Sequence, residues 1–397
     1  MENLFTRRSN ASDIFHAIRK APGISQREIV LQTGFDKSTV SSIIGAFHDA
    51  DLVEEVERPA QNRRGRPSKG LRVSQASGIL VGVRIEADEV RFVGSALDGK
   101  PRFRRACRFD GSVDDMQRIF VREIDAIASD PAAGSPLLAV GVSVPGLLRA
   151  DGVLVHLPVL GWRDVALLDR LASAVKAPVF VGNDGKAGAM AERMFGAGKD
   201  GGDFIYLFSG SGVGGAMVLD GQVYAGADGL AGELGHIKIV PQGRFCSCGA
   251  SGCLSAYLSE PALCEEIGRL SGDRPEDFAT LRARAEAGDP STLTVLESAG
   301  DVLGTAVSSL MNIFNPNMVL LGGDLSLARP WIEAPMMRAL QRLAHPAMAE
   351  RTGIRFSELS AQSPFLGGVA LALDGVTGRT ATNETARMAG EADNEEA

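Results

Sequence analysis

The sequence predicts an α/β protein in which an N-terminal winged helix-turn-helix unit precedes a larger body of alternating strands and helices. Three observations carry this. The first 50 residues hold three short helix patterns punctuated by capping residues and a glycine. Two strand-like runs then flank a basic, proline-containing segment. From residue 76 to about 377, apolar strand runs and helical periodicities interleave, the mark of βαβ units.

In the head, a first helix is expected near Ser12–Lys20, with Ile14, Phe15 and Ile18 on one face. The second opens on Ser25-Gln26-Arg27-Glu28. That is a capping box: the Ser hydroxyl takes the amide three residues on, and the Glu carboxylate returns to the cap amide. It ends near Thr33-Gly34, where glycine supplies a left-handed turn. The third starts after Asp36, a favourable N-cap, and Val40, Ile43, Ile44 and Phe47 form one apolar stripe. Val53–Val56 and Leu71–Val73 read as the strands of a wing around the polar stretch Arg58–Gly70. The head is taken as residues 1–75.

In the body, Gly78–Ile85 and Val90–Leu97 read as a strand pair, followed by a helix near Asp114–Ser129. Leu137–Val144 is a buried strand ending at Pro145-Gly146. Pro178–Val181 runs into Gly182-Asn183-Asp184 and a helix from Lys186 to Phe195. Phe204–Phe208 and Ala216–Leu219 flank a Gly-rich stretch read as a tight turn. A long helix covers Thr292–Phe314, Met318–Leu321 is a strand, and a last helix is expected to follow Gly367-Gly368. The tail 378–397, with five acids and two arginines, is expected to be disordered.

Composition bounds the function. A chain of 397 residues exceeds one ordinary domain, and 45% hydrophobic content supports real cores. No apolar run approaches the roughly 18 residues of a membrane span. The N-terminus MENLFTRRSNASDIF lacks a signal-peptide layout, so a cytoplasmic location without membrane partners is expected. Residues 1–72 carry 12 Lys and Arg against 9 Asp and Glu, and the rest carries 29 against 40. A mildly basic head on an acidic body suits a head that meets phosphate.

The third helix makes that partner specific. Opposite its apolar stripe lie Lys37, Ser38, Thr39, Ser41 and Ser42, one cation and several short donors at the end where a major groove would be met. Gln26 and Arg27 begin the second helix and can clamp a phosphate. Arg63, Arg64 and Arg66 around Gly65 fit a narrow minor groove, whose potential draws arginine. Double-stranded DNA is the expected partner; a protein-interaction module with a basic linker is the alternative.

Five cysteines are no disulfide framework, yet three fall within eight positions. Nine residues separate His236 from Cys246; Cys248 and Cys253 follow. Three thiols and one imidazole complete a tetrahedral zinc shell, and Gly243, Gly249 and Gly252 let the loop wrap tightly. With every position filled by protein, the zinc is expected to be structural. Cys107 and Cys264 stand alone and read as ordinary buried residues.

The stretch Gly232-Glu233-Leu234-Gly235-His236 followed by Cys246-Ser247-Cys248-Gly249-Ala250-Ser251-Gly252-Cys253 resembles the signature of the ROK family, which groups sugar-responsive repressors with bacterial sugar kinases. Val144-Pro145-Gly146, Gly161-Trp162, Asn183-Asp184, Ser209–Gly215, Asn315-Pro316, Leu321-Gly322-Gly323 and Gly65-Arg66-Pro67 add to the likeness, which covers roughly residues 10–375. The resemblance implies an actin-like fold of two ribonuclease-H-like lobes, about 76–197 plus 365–377 and about 198–364. It implies that Asn183, Asp184, Glu233 and His236 contact sugar hydroxyls. Carboxylates and amides at strand ends suit such contacts.

Two departures shape the expectation. The family's kinases carry Asp-x-Gly-Gly-Thr where this chain has Arg84-Ile85-Glu86-Ala87-Asp88, so the phosphate cradle loses its glycines and gains repelling carboxylates. Ser255 stands where the family usually has a sugar-contacting Glu. The expected protein is therefore a non-catalytic, sugar-responsive DNA-binding regulator, most simply a repressor of carbohydrate genes acting as a homodimer or homotetramer. An active sugar kinase with an accessory head, and a regulator controlled by a protein partner, are the alternatives.

Overall fold

The computed structural model of the protein describes Phe5 and residues 9–58, 69–130, 135–359 and 363–378. Arg63, Arg64 and Arg66 lie outside the described residues, as does the tail from 379 on. No helix among the described residues is long and apolar enough to cross a membrane.

The head has helices α1 (Ser9–Lys20), α2 (Gln26–Thr33) and α3 (Lys37–Asp49) and the antiparallel pair β1 (Val53–Val56) and β2 (Gly70–Val73). Its local signals act as the chemistry requires. The Ser25 amide donates to Glu28 Oε2 at 2.8 Å while the Glu28 amide donates to Ser25 Oγ at 3.3 Å. Gly34 takes φ 74°, and Asp36 caps α3 by accepting from the Thr39 amide at 2.9 Å. Val40, Ile43, Ile44 and Phe47 are buried.

The first sheet of the body has the order β10-β6-β3-β4-β5. Strands β3 (Ile79–Ile85), β4 (Glu89–Ser95) and β5 (Pro101–Arg108) form an antiparallel meander. Helix α4 (Val113–Ala128) follows, then β6 (Leu137–Val144), which pairs parallel to β3. A small antiparallel sheet, β7 (Leu147–Leu148), β8 (Val153–Leu157) and β9 (Trp162–Ala166), leads through α5 (Leu167–Ala172) to β10 (Val179–Asn183), parallel to β6. Strand β5 was not among the sequence expectations. It is an edge strand whose side chains alternate between exposed and half-buried, so its arginines mask its strand character.

Helix α6 (Asp184–Phe195) leads to the second sheet, β13-β12-β11-β14-β15. Its meander is β11 (Phe204–Ser209), β12 (Val213–Leu219) and β13 (Gln222–Val223). Helices α7 (Glu260–Ser271), α8 (Phe278–Glu286) and α9 (Pro290–Phe314) precede β14 (Met318–Gly323), parallel to β11; α10 (Arg329–Leu343) precedes β15 (Gly353–Phe356), parallel to β14. The Gly-rich stretch, expected to be a tight turn throughout, is a turn only at Gly210-Ser211-Gly212; Gly214 and Gly215 pair within β12. Gly210 and Gly212 nevertheless keep ordinary negative φ, so the turn itself does not demand glycine there.

Helix α11 (Ser363–Thr377) corrects the expectation that a helix begins after Gly367-Gly368, because both glycines lie inside it. They serve close packing. A Cβ on Gly368 would lie 2.6 Å from Gly141 O and one on Gly82 would lie 2.7 Å from Val369 N, so helix and sheet backbones touch. On this side the head joins the body. Ile14, Phe15 and Ile18 share one buried cluster with Met190 and Met194 of α6 and Val369 and Leu373 of α11.

Candidate functional site

A cleft of about 480 Å³ lies between the two sheets, lined by Arg84, Asn183, Asp184, Gly212, Glu233 and Ser255 among others. Strand β10 delivers Asn183 to its floor. The Asn183 Oδ1 accepts from the Gly185 and Lys186 amides at 2.9 and 3.2 Å, and its Nδ2 donates to Gly146 O at 3.0 Å. Asn183, not Asp184, is thus the N-cap of α6. Its side chain is largely committed to holding the floor together.

Asp184 is the first residue of α6 and is buried. Burial raises its pKa, opposed chiefly by the Arg84 guanidinium, whose Nη2 stands 3.8 Å from Oδ2. Glu233 is pushed up to about 7 by burial and by the Asp184 charge, with Lys186 opposing. Burial lowers the Lys186 pKa, and its ammonium donates to Gly229 O. Near neutral pH the cleft therefore offers Glu233 as either donor or acceptor. A polyhydroxylated ligand, whose hydroxyls both donate and accept, matches that duality.

Arg84 is the site residue that sequence reasoning missed. Its Nε donates to Glu86 Oε1 at 2.9 Å, and its buried Nη1 has no hydrogen-bond partner among the described residues. A lone charge in the otherwise apolar strand Ile79–Ile85 was the available signal. The expectation that Glu86 repels phosphate needs correction. Glu86 is held by Arg84 and, at 3.0 Å, by Arg91, so its charge is largely compensated. At the same turn the Glu86 amide donates to Glu89 O at 2.9 Å.

The structure brings His236, Cys246, Cys248 and Cys253 together, with one ligand atom from each within 4.8 Å of the others. Cys248 Sγ lies 3.7 Å from Cys253 Sγ, and Cys246 Sγ lies 3.6 Å from His236 Nδ1. A zinc tetrahedron with standard bond lengths has S–S edges of about 3.8 Å and S–N edges of about 3.6 Å, so the donor set fits. The Lys238 ammonium donates to Cys253 Sγ at 2.7 Å, compensating thiolate charge. His236 also lines the cleft, tying the loop to it. Cys264 is buried, as expected, whereas Cys107 is only partly covered.

On the head, Gln26, Arg27, Lys37, Ser38, Ser41 and Ser42 are exposed and Thr39 is half-buried. The Ser38 and Thr39 hydroxyls donate to the Asp36 carboxylate, Thr39 at 2.6 Å, which leaves them acceptors toward any partner. Arg58, which the sequence reading did not single out, clamps Glu28 with bonds of 2.8 and 2.9 Å and braces α2.

Comparison with known proteins agrees with this division. The ROK family model matches residues 81–375 and the MarR family model matches residues 6–65. The xylose repressor of Bacillus subtilis (strain 168) is 26% identical over 375 residues, covering 94% of this chain and 97% of its own. A glucokinase of Thermotoga maritima is 29% identical over 285 residues, covering 68% of this chain and 90% of its own. Among solved structures, a ROK family transcriptional regulator described as a homolog of the Escherichia coli Mlc protein superposes with TM-score 0.79 at 26% identity, covering 93% of this chain and 96% of its own. With the family model spanning most of its length, the chain belongs to the ROK family.

Proposed function

We propose that this chain is a sugar-responsive transcriptional repressor whose body binds its effector without phosphorylating it. Residues 1–75 bind double-stranded operator DNA through α2, α3 and the wing, with Gln26, Arg27, Lys37, Ser41 and Ser42 as contacts. Residues 76–377 form the sensor, in which Asp184, Glu233 and His236 meet sugar hydroxyls over the floor fixed by Asn183. The B. subtilis xylose repressor aligns across head and sensor together, whereas the T. maritima glucokinase aligns with a smaller share of the chain. The Arg84–Asp184 pair speaks against phosphoryl transfer. Zinc, held by His236 and the three thiolates, fixes the loop that walls the cleft. A DNA partner and reduced thiols point to the cytoplasm. Two copies would set two heads at half-sites about 34 Å apart, or a multiple of that.

Helix α6 carries the reading. Its first residue, Asp184, lies in the cleft, and its last turn holds the head. Arg19 Nη1 donates to Met194 O at 2.9 Å, and the Arg19 guanidinium stacks 5.1 Å from the Phe195 ring centroid. His16 Nε2 lies 3.1 Å from Thr377 Oγ1 on α11. A ligand that shifts α6 must therefore shift the head, which biases an equilibrium between domain arrangements.

The test is operator binding by the full chain to its own promoter region, with and without a sugar panel. Wild type should show salt-sensitive binding that an effector weakens by roughly 5- to 150-fold. Arg19→Ala should bind DNA and sugar separately yet lose most of that coupling. Absence of sequence-specific binding, or full coupling in Arg19→Ala, counts against the proposal.

A further inference from the structure

The cleft does not end at Asp184 and Glu233. It continues into a second hollow of about 850 Å³ between the metal loop and α7. Ser211, Gly212, Ser247 and Ser255 line both. These shared residues are small, so little side-chain bulk stands between the two hollows. Gly212 has no side chain, and a Cβ placed on it would find only Ser255 Oγ, 4.0 Å away. The Ser255 hydroxyl is turned onto the backbone, accepting from the Val213 amide at 3.2 Å. Since Gly212 keeps an ordinary φ, the turn is not what excludes a side chain there.

Each hollow alone has the roughly 300–1,000 Å³ of a site for a drug-sized ligand. One sugar ring in the first leaves the second empty. The second hollow has the wall chemistry for another ring. Phe245, on the metal loop, is 90% exposed, and its backbone bridges to Ser251. A flat apolar ring in water beside a polar groove suits the C–H face of a pyranose, which is amphipathic in the same way. Most of the remaining lining is polar. Glu266 holds Arg244 at 2.9 Å and Arg269 at 3.0 Å, and Arg244 also stacks 4.8 Å from the Tyr257 ring centroid. Glu265 and Glu266 balance the two guanidinium charges, so the groove favours a neutral, hydroxyl-rich ligand over an anion.

We propose that the effector is a neutral oligosaccharide of at least two rings, with its terminal ring over Asp184 and Glu233 and its next ring past Ser255 against Phe245. This rests on the sugar reading above and names the class of sugar. Gly212 and Ser255 are then specificity-determining residues, because their size keeps the passage open.

The experiment is calorimetric titration of the zinc-loaded full chain with glucose, xylose and N-acetylglucosamine, each beside its β-1,4-linked dimer and trimer and its phosphate ester. In the series that binds, the dimer should bind at least about 10-fold more tightly than the monomer. Ser255→Gln, which plugs the passage, and Phe245→Ala, at an exposed position, should each drive the dimer-to-monomer ratio toward one. Equal affinity for monomer and dimer, a ratio unmoved by both variants, or a phosphate ester that outcompetes the dimer overturns the extended site while leaving the sugar reading intact. Binding of operator DNA with no sugar of any length overturns both.

Discussion

The two sheets of the body share one plan and differ in one turn. Each is a three-stranded antiparallel meander whose first strand pairs on its other side with a parallel strand, which in turn pairs with a second parallel strand. In the first sheet the turn between the first two strands is charged and closed. Glu86 donates its amide to Glu89 O and its carboxylate is gripped by Arg84 and Arg91. In the second sheet the same turn is Gly210-Ser211-Gly212, which carries no charge; Gly210 N donates to Gly212 O at 2.9 Å, and Gly210 O accepts from the Glu260 amide at 2.8 Å. Backbone pairing sets the plan, and the turn sets the chemistry. The first sheet supplies the cleft with a guanidinium and carries α11, on which the head rests. The second supplies a turn with no charged side chain, and the metal loop.

The largest effect should come from the metal loop. Chelation, or Cys253→Ser at a buried ligand position, should cost roughly 3–5 kcal/mol of stability, and sugar affinity should fall by about 100-fold as the second-sheet wall of the cleft collapses. Operator affinity without sugar should change little, since the head rests on α6 and α11. Metal content, melting curves and DNA titration report these separately. A melting temperature indifferent to chelation would break the metal assignment.

A smaller effect separates the buried acids of the two halves. Asp184 faces Arg84, but Asp324, just after β14, is pushed up to about 7 by burial with Glu260 adding repulsion. Its Oδ2 has no hydrogen-bond partner among the described residues. Because the folded pKa lies above the unfolded one, folding takes up a proton. Stability from this group is full below about pH 4, declines as pH rises, and levels off above about 7. Asp324→Asn removes the charge at every pH. Its stability relative to wild type should rise by about 2–3 kcal/mol between pH 5 and pH 8. Denaturant melts at the two pH values measure this, and a difference independent of pH would mean that Asp324 is ionised in the folded protein.

Why some of this was legible in sequence and some not follows from where each signal is stored. The capping box at Ser25, the stripe on α3 and the four metal ligands between His236 and Cys253 are local patterns, closed within one turn, one helix or one loop. Arg84 acquires meaning only when β6 lies between β3 and β10 and so brings it to Asp184, 100 positions away. The docking of Arg19 on Met194 joins residues 175 positions apart. Gly367-Gly368 misled because glycine reads locally as a helix break, whereas here Gly368 answers the approach of Gly82 and Gly141 and Gly367 that of Ala187. The shared plan of the two sheets was expected only through the family resemblance and not from any local pattern, because strand order is a property of pairing.

The smallest expected effect tests the comparison of the two turns most directly. A Cβ on Gly210 meets nothing within 4 Å, and its φ is ordinary. Gly210→Ala should therefore change stability by less than about 1 kcal/mol, with a slight gain from the stiffer unfolded chain. Gly215→Ala, in the adjacent strand, would put a Cβ 2.5 Å from Tyr206 O and should cost about 1–3 kcal/mol or more. If both substitutions cost the same, glycine is structural throughout the second turn and its contrast with the first is only one of packing. If Gly210→Ala is neutral in denaturant melts while Gly212→Ala, at a position that lines the cleft, is equally neutral but weakens sugar binding, the fold does not need the bare turn, and ligand access is what keeps it bare.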